Sequence, residues 1–162
     1  MTAIDNLKSD LNLARKLNAP VLVTAPDDFA LRVAAVIAAH ADPRACLRLC
    51  HASEIPDITW GAGPASSPGY EPVLAIRDVH ALSEAGQDAV LQVLGNPRAS
   101  GYRSVLALTP TNLYERVQQG TFSAELYYRL NAIHIVSGGR LEWAWLSTYY
   151  CFDGQDCAAG VV

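Results

Sequence analysis

Few side chains in this sequence stand where their types and spacing could do chemistry. The four cysteines fall into two loose pairs, Cys46/Cys50 and Cys151/Cys157. Neither pair has the C-x-x-C spacing of a zinc knuckle or a redox motif, so no metal site is expected. The four histidines, His40, His51, His80 and His134, are scattered among helix, loop and strand ends. None has a carboxylate or cysteine at ligand spacing, and they read as surface or satisfied histidines. No nucleophile stands beside a base in a hydrolase pattern, and a fold alone cannot supply one. Two charged pairs, Asp27-Asp28 and Arg77-Asp78, closely follow short apolar runs. Their meaning depends on the elements that carry them.

The bulk of the chain narrows the field. Its 162 residues fit one domain, large enough to bury a core without disulfide or metal support. A composition of 51% hydrophobic and 17% charged residues is globular; a disordered chain would invert that balance. The net charge of -4 and the absence of any Lys/Arg run argue against a broad basic surface, so direct DNA binding is not expected. No stretch approaches the roughly 20 apolar residues of a membrane span. The N-terminus lacks the layout of a signal peptide, and the expected address is the cytoplasm with idle, reduced thiols.

The elements follow from periodicity. Ile4, Leu7, Leu11, Leu13, Ala14 and Leu17 recur at helical spacing over 4–17, and Asn18-Ala19-Pro20 stops that helix. Val21–Thr24 is a short apolar strand. Ala25-Pro26-Asp27-Asp28 reads as a turn, with Asp27 or Asp28 as N-cap of an Ala-rich helix from Phe29 to His40. Cys46–Cys50, Val73–Ile76, Ser104–Leu108 and Ala132–Val136 read as further strands. The segment 52–71, rich in Pro, Gly and Ser and anchored only by Trp60 and Tyr70, reads as a mobile loop. Ser83 caps a helix to about Leu94, with Ala85, Ala89, Val90, Val93 and Leu94 as its apolar positions. Helical stretches near 112–118 and 122–130 complete the set. After Gly138 the chain changes character, with Trp143, Trp145, Tyr149, Tyr150 and Phe152 at no clear period. Strands alternating with helices at these lengths indicate a parallel sheet covered on both faces.

Three segments together resemble the AAA+ domain of bacterial sigma-54-dependent transcription activators. Arg77-Asp78-Val79-His80-Ala81-Leu82-Ser83, then Gln87 and Val90-Leu91-Gln92-Val93-Leu94, is similar to that family's Walker B strand and following helix. Leu106-Ala107-Leu108-Thr109, with Leu113, Gly120 and Phe122, resembles its A-A-T-N-R-D-L…G-x-F stretch. Glu125-Leu126-Tyr127-Tyr128-Arg129-Leu130-Asn131 nearly matches its D-L-Y-Y-R-L-N signature. The resemblance covers roughly 18–136 and implies an α/β, three-layer P-loop NTPase-like core with a five-stranded parallel sheet over 1–138. The segment 139–162 is a divergent tail, and a lid subdomain is not expected.

The same resemblance locates a nucleotide site whose chemistry this chain does not keep. The family's phosphate loop, G-E-S-G-T-G-K-E, aligns with Ala25, Pro26, Asp27, Asp28, Phe29, Ala30, Leu31 and Arg32. Glycines let backbone N–H groups close around phosphate, and a lysine meets the β/γ charge. Here every glycine is replaced, Leu31 stands at the lysine, and Asp27 and Asp28 add negative charge. In the Walker B pair an Asp orients Mg²⁺ and a Glu polarises the attacking water. Arg77 stands at the first and Asp78, a shorter acid, at the second. The family's sensor Asn is Pro110, which has no side-chain amide. Of its two arginine fingers, Ser123 replaces one and Arg129 keeps the other, where it reads as a structural ion pair or a cap on its helix.

The family's G-A-F-T-G-A loop is absent between Cys50 and Val73, and residues 139–162 read neither as its helical lid nor as a helix-turn-helix. These departures imply neither ATP nor Mg²⁺ as cofactor and a non-catalytic, protein-binding module in transcription regulation, either a remnant of an activator or a regulator. Its expected partner is an intact AAA+ activator subunit or a second copy of itself. The alternative is a weak ATP-binding regulator that acts by the family's route, with Arg32 serving as substitute phosphate ligand.

Overall fold

The computed structural model describes residues 2–41, 47–57, 72–96, 100–136 and 139–149. Five strands form one sheet: β1 (Val21–Thr24), β2 (Leu47–His51), β3 (Val73–Arg77), β4 (Ser104–Thr109) and β5 (Ile133–Val136). Their spatial order is β2-β3-β4-β1-β5, and every neighbouring pair is parallel. The α-helices are α1 (Ala3–Lys16), α2 (Asp27–Ala41), α3 (Glu84–Gly95), α4 (Leu113–Gln118), α5 (Ala124–Leu130) and α6 (Arg140–Tyr149). The expected three-layer α/β core with a five-stranded parallel sheet is present.

Strand side chains alternate between two cores, as the pleat requires. Val21, Val23, Val73, Ala75, Leu106 and Leu108 face one side, packed with Leu7 and Leu11 of α1, Val33 and Ile37 of α2, and Leu146 of α6. Leu22, Leu74, Ile76, Val105 and Ala107 face the other, against Val90 and Val93 of α3 and Leu126 and Leu130 of α5. Burying each such Leu or Val stabilises by about 1.5–3 kcal/mol. This explains why the central strands are apolar on both faces.

Local signals set the helix ends. Thr2 and Asp5 make a reciprocal capping box on α1, with Thr2 Oγ1 accepting from Asp5 N–H at 3.2 Å and Asp5 Oδ2 accepting from Thr2 N–H at 3.0 Å. Ser83 caps α3, its Oγ accepting from Gly86 N–H at 3.1 Å.

Several expectations are corrected. α2 begins at Asp27, two residues before the predicted start, so Asp27 and Asp28 lie in the first helical turn and are not its N-cap. The Pro26 carbonyl already accepts from Ala30 N–H at 2.9 Å, and proline's fixed φ suits a helix start. Ala52–Asp57, predicted as loop, forms a 3-10 helix because Ile55 is fully buried and Glu54 Oε2 accepts the His51 N–H at 2.9 Å. The rest of the 52–71 loop, with Trp60 and Tyr70, lies outside the described residues, as do Cys46, Cys151 and Cys157. Ala85 is exposed, and Leu13 and Leu17 are about half exposed despite their apolar spacing. The tail that showed no period contains α6. Trp143 packs on Phe29 with ring centroids 5.9 Å apart, Leu146 enters the first core, and Glu142 Oε2 holds the Gly139 N–H at 2.8 Å at the helix start.

Candidate functional site

Because all strands run parallel, their C-terminal ends line one edge of the sheet, where open α/β sheets place ligands. The register sets Thr24 beside Thr109 and Val136, and His51 beside Arg77. Of the residues singled out in the sequence at 25–32 and 77–78, Asp27 and Arg77 meet at this edge.

The junction after β1 is short. β1 ends at Thr24 and α2 starts at Asp27, so Ala25 and Pro26 alone connect them. Ala25 is buried and its N–H donates to the Thr109 carbonyl at 3.1 Å, which ties the turn to β4. Phe29 and Ala30 are buried, and Leu31 packs against the first core. Arg32 is exposed, and its guanidinium lies 4.8 Å from the centre of the Trp143 ring. Pro26, Asp28 and Phe29 of this junction, with Gly139, Arg140 and Trp143 of the α6 start, line an open groove of about 510 Å³.

Arg77 ends β3 and reaches across to the first turn of α2, its Nη2 lying 3.7 Å from Asp27 Oδ2. Both side chains are substantially exposed, so the pair contributes well under 1 kcal/mol to stability. Its consequence is for the site. An acid stands on the helix side and a base on the strand side, the reverse of what phosphate and a divalent metal require.

Asp78 sits in the left-handed region at φ 52°, the one non-glycine residue among those described with positive φ. Aspartate is among the few non-glycine residues that adopt this conformation routinely, because its short side chain can hydrogen-bond locally. The conformation turns the carboxylate onto β2, where Oδ2 is 2.9 Å from His51 Nε2. The opposite ring nitrogen, Nδ1, is 2.8 Å from Ser53 Oγ. The sequence reading found neither contact. The only linear signal is His51-x-Ser53, and Asp78 joins it because the β2–β3 register puts His51 opposite Arg77.

The other described histidines near this edge are also engaged. His80 Nδ1 lies 3.1 Å from Thr109 Oγ1, and His134 Nε2 lies 2.9 Å from Thr24 Oγ1. Desolvation holds the His134 imidazole below its ordinary value, partly offset by the Asp10 carboxylate. No group of three or more metal-ligating side chains occurs among the described residues. Cys50 is buried, and burial, with a smaller contribution from Glu54, pushes its thiol up to about 12 against the pull of Arg48.

Arg129 and Ser123 lie on and beside α5. Arg129 Nη2 pairs with Glu125 Oε1 one turn back at 3.1 Å, both exposed. Ser123 caps the helix, its Oγ accepting from Leu126 N–H at 3.3 Å, and its own N–H donates to Gln87 Oε1 at 2.8 Å. Gln87 is buried, and its Nε2 donates to the Leu82 and Thr121 carbonyls at 3.2 and 3.4 Å. Residues that match the resemblance (Gln87, Leu126, Leu130) thus hold elements together.

A family model described as the sigma-54 interaction domain matches residues 1–136. No curated protein matches the sequence. Among solved structures, the fold is similar to NtrX from Brucella abortus in complex with ADP, at a TM-score of 0.68 and 18% identity over 85% of this chain and 36% of that one. It is also similar to the P-loop NTPase domain of the sigma-54 transport activator from E. coli, at 0.59 and 13% over 81% and 99%. The Thermotoga maritima RuvB Holliday junction branch migration motor aligns at 0.55 and 16% over 82% and 44%. At these identities the structural likeness speaks for the fold alone. The chain spans about a third of the length of the NtrX chains.

Proposed function

Because the chain belongs to the sigma-54 interaction domain family, we propose that it is a member that binds protein without using ATP. The observation that carries this reading is the start of α2 at Asp27, which leaves only Ala25 and Pro26 between strand and helix. A phosphate cradle needs a run of backbone N–H groups curved around the anion. Here the first turn of a helix fills that run.

The side chains present do not fit Mg-ATP. Asp27 and Asp28 would face the phosphates and add like charge where the family's loop offers backbone N–H groups, a repulsion that solvent only partly screens. Arg77 takes the place where the divalent ion would be held, and it is paired with Asp27. Leu31 packs inward and Arg32 lies on Trp143, so neither offers a lysine-like cation to the seat.

What remains is a family fold with its packing residues in place. We take its partner to be an intact AAA+ activator subunit or a second copy of the chain, and its process to be transcription regulation. Sedimentation velocity tests this directly, on the chain alone and mixed with an intact sigma-54 activator, without nucleotide. The reading expects a faster-sedimenting species in one of these samples. A monomer that ignores the activator at tens of micromolar would overturn it.

A further inference from the structure

The groove between α2 and α6 joins an aromatic wall to two unpaired charges of opposite sign. Pro26 and Phe29 form its α2 side and Trp143 its α6 side, around a volume of about 510 Å³. Sites for small molecules run from about 300 to 1,000 Å³, so the space suits one such ligand. Phe29 is buried, and its ring centroid lies 5.9 Å from that of Trp143 at an interplanar angle of 40°, so the two rings make a fixed corner. The Arg32 guanidinium, 4.8 Å from the Trp143 ring centre, holds the indole in place. Asp28, in the first turn of α2, and Arg140, which opens α6, complete the lining. Both are exposed, and among the described residues neither side chain has a hydrogen-bond or ion-pair partner. Their neighbours are engaged: Asp27 lies 3.7 Å from Arg77, and Glu142 holds the Gly139 N–H at 2.8 Å. Asp28 and Arg140 are therefore the charges that the fold leaves open to a ligand. An anion entering here meets Asp28, and a cation meets Arg140 and Arg32. A molecule that carries both signs beside an apolar body avoids both conflicts.

We propose that this groove binds a free amino acid with an aromatic side chain. The ligand's ring lies against Phe29 and Trp143, its α-ammonium faces Asp28, and its α-carboxylate faces Arg140. The charges select the free amino acid: a residue inside a peptide carries neither of them, and a terminal residue carries one. Solvent screens both contacts, so each contributes only severalfold in affinity, and the aromatic corner supplies the rest. The site goes beyond the protein-binding reading and does not depend on it.

Isothermal titration of the full chain with L-phenylalanine, at low salt and neutral pH, tests this without any partner protein or nucleotide. The expected Kd is about 1 mM, in keeping with an open groove and two screened ion contacts. Hydrocinnamate, which lacks the ammonium, and phenethylamine, which lacks the carboxylate, should each bind about threefold to fivefold more weakly. Glycine, which lacks the ring, should give no measurable binding. Asp28→Asn should erase the preference over hydrocinnamate and keep the one over phenethylamine, and Arg140→Gln should do the reverse. A general loss of folding would not produce that crossed pattern, and both substitutions fall on exposed side chains. No binding of L-phenylalanine at tens of millimolar, equal binding of the three aromatic compounds, or preferences unchanged in both variants would overturn the proposal.

Discussion

Replacing Gln87 with methionine removes three hydrogen bonds at nearly constant side-chain volume. The amide bridges the start of α3 to the cap of α5, accepting from Ser123 N–H at 2.8 Å and donating to the Leu82 and Thr121 carbonyls. The first loss weighs most, because it strands a part-buried backbone donor, at about 1–3 kcal/mol. The two carbonyl bonds are longer, and net bonds of that kind contribute about 0.5–1.5 kcal/mol each. Partial rehydration offsets some of this, so the expected loss is about 2–3 kcal/mol. For a domain of this size that lowers the Tm by roughly 5–10 °C. Urea unfolding should show a lower midpoint with an unchanged slope. Gln87→Glu should not rescue stability, since a carboxylate oxygen would then face two carbonyls. A Gln87→Met chain within about 0.5 kcal/mol of the natural one would refute the role of the clamp.

Two titration predictions accompany it. Burial favours neutral His134 in the fold, so the unfolded chain binds more protons as pH drops through the ordinary imidazole range near 6.5. Stability from this group is therefore present above that range and lost as pH falls, by under about 1 kcal/mol given its exposure. Asp10, raised by its own desolvation, acts with opposite sign from 3.8 upward. Comparing urea midpoints of natural and His134→Gln chains between pH 7.5 and 5.5 isolates the histidine, and a steeper loss in the variant would contradict the assignment. For Cys50, a thiol at about 12 in place of the ordinary 9.0 holds about a thousandfold less thiolate at pH 8. In a chain with Cys46, Cys151 and Cys157 changed to serine, modification by Ellman's reagent should track global unfolding. Fast reaction in the folded state would show that Cys50 is accessible.

The sequence carried most of the scaffold for a physical reason. Buried parallel strands such as Val73–Arg77 are apolar on both faces, and helices such as α3 announce their starts with a capping serine. It misplaced features set by tertiary contact. Asp27 and Asp28 have cap chemistry, yet the Pro26 carbonyl accepts the first helical hydrogen bond, which puts both aspartates inside the first turn. Trp143 and Leu146 have a period only with respect to Phe29 and the core they cover. The site divides the same way. Positions 25–32 and 77–78 were legible by resemblance, and the Asp27–Arg77 pair follows from their charges. The link of His51 to Asp78 was not legible, because residues far apart in sequence meet only through the β2–β3 register.

The proposed loss of nucleotide binding is tested most directly by thermal denaturation in 1 mM ATP or ADP with Mg²⁺. A site with a Kd of 10 μM would gain about 2.7 kcal/mol at that concentration. For this size of domain, that raises the Tm by roughly 5–10 °C. The account predicts no shift for the natural chain, and none for Leu31→Lys, because restoring the lysine leaves the first turn of α2 in the phosphate seat. A dose-dependent rise in the natural chain would contradict it and show that a nucleotide is still bound.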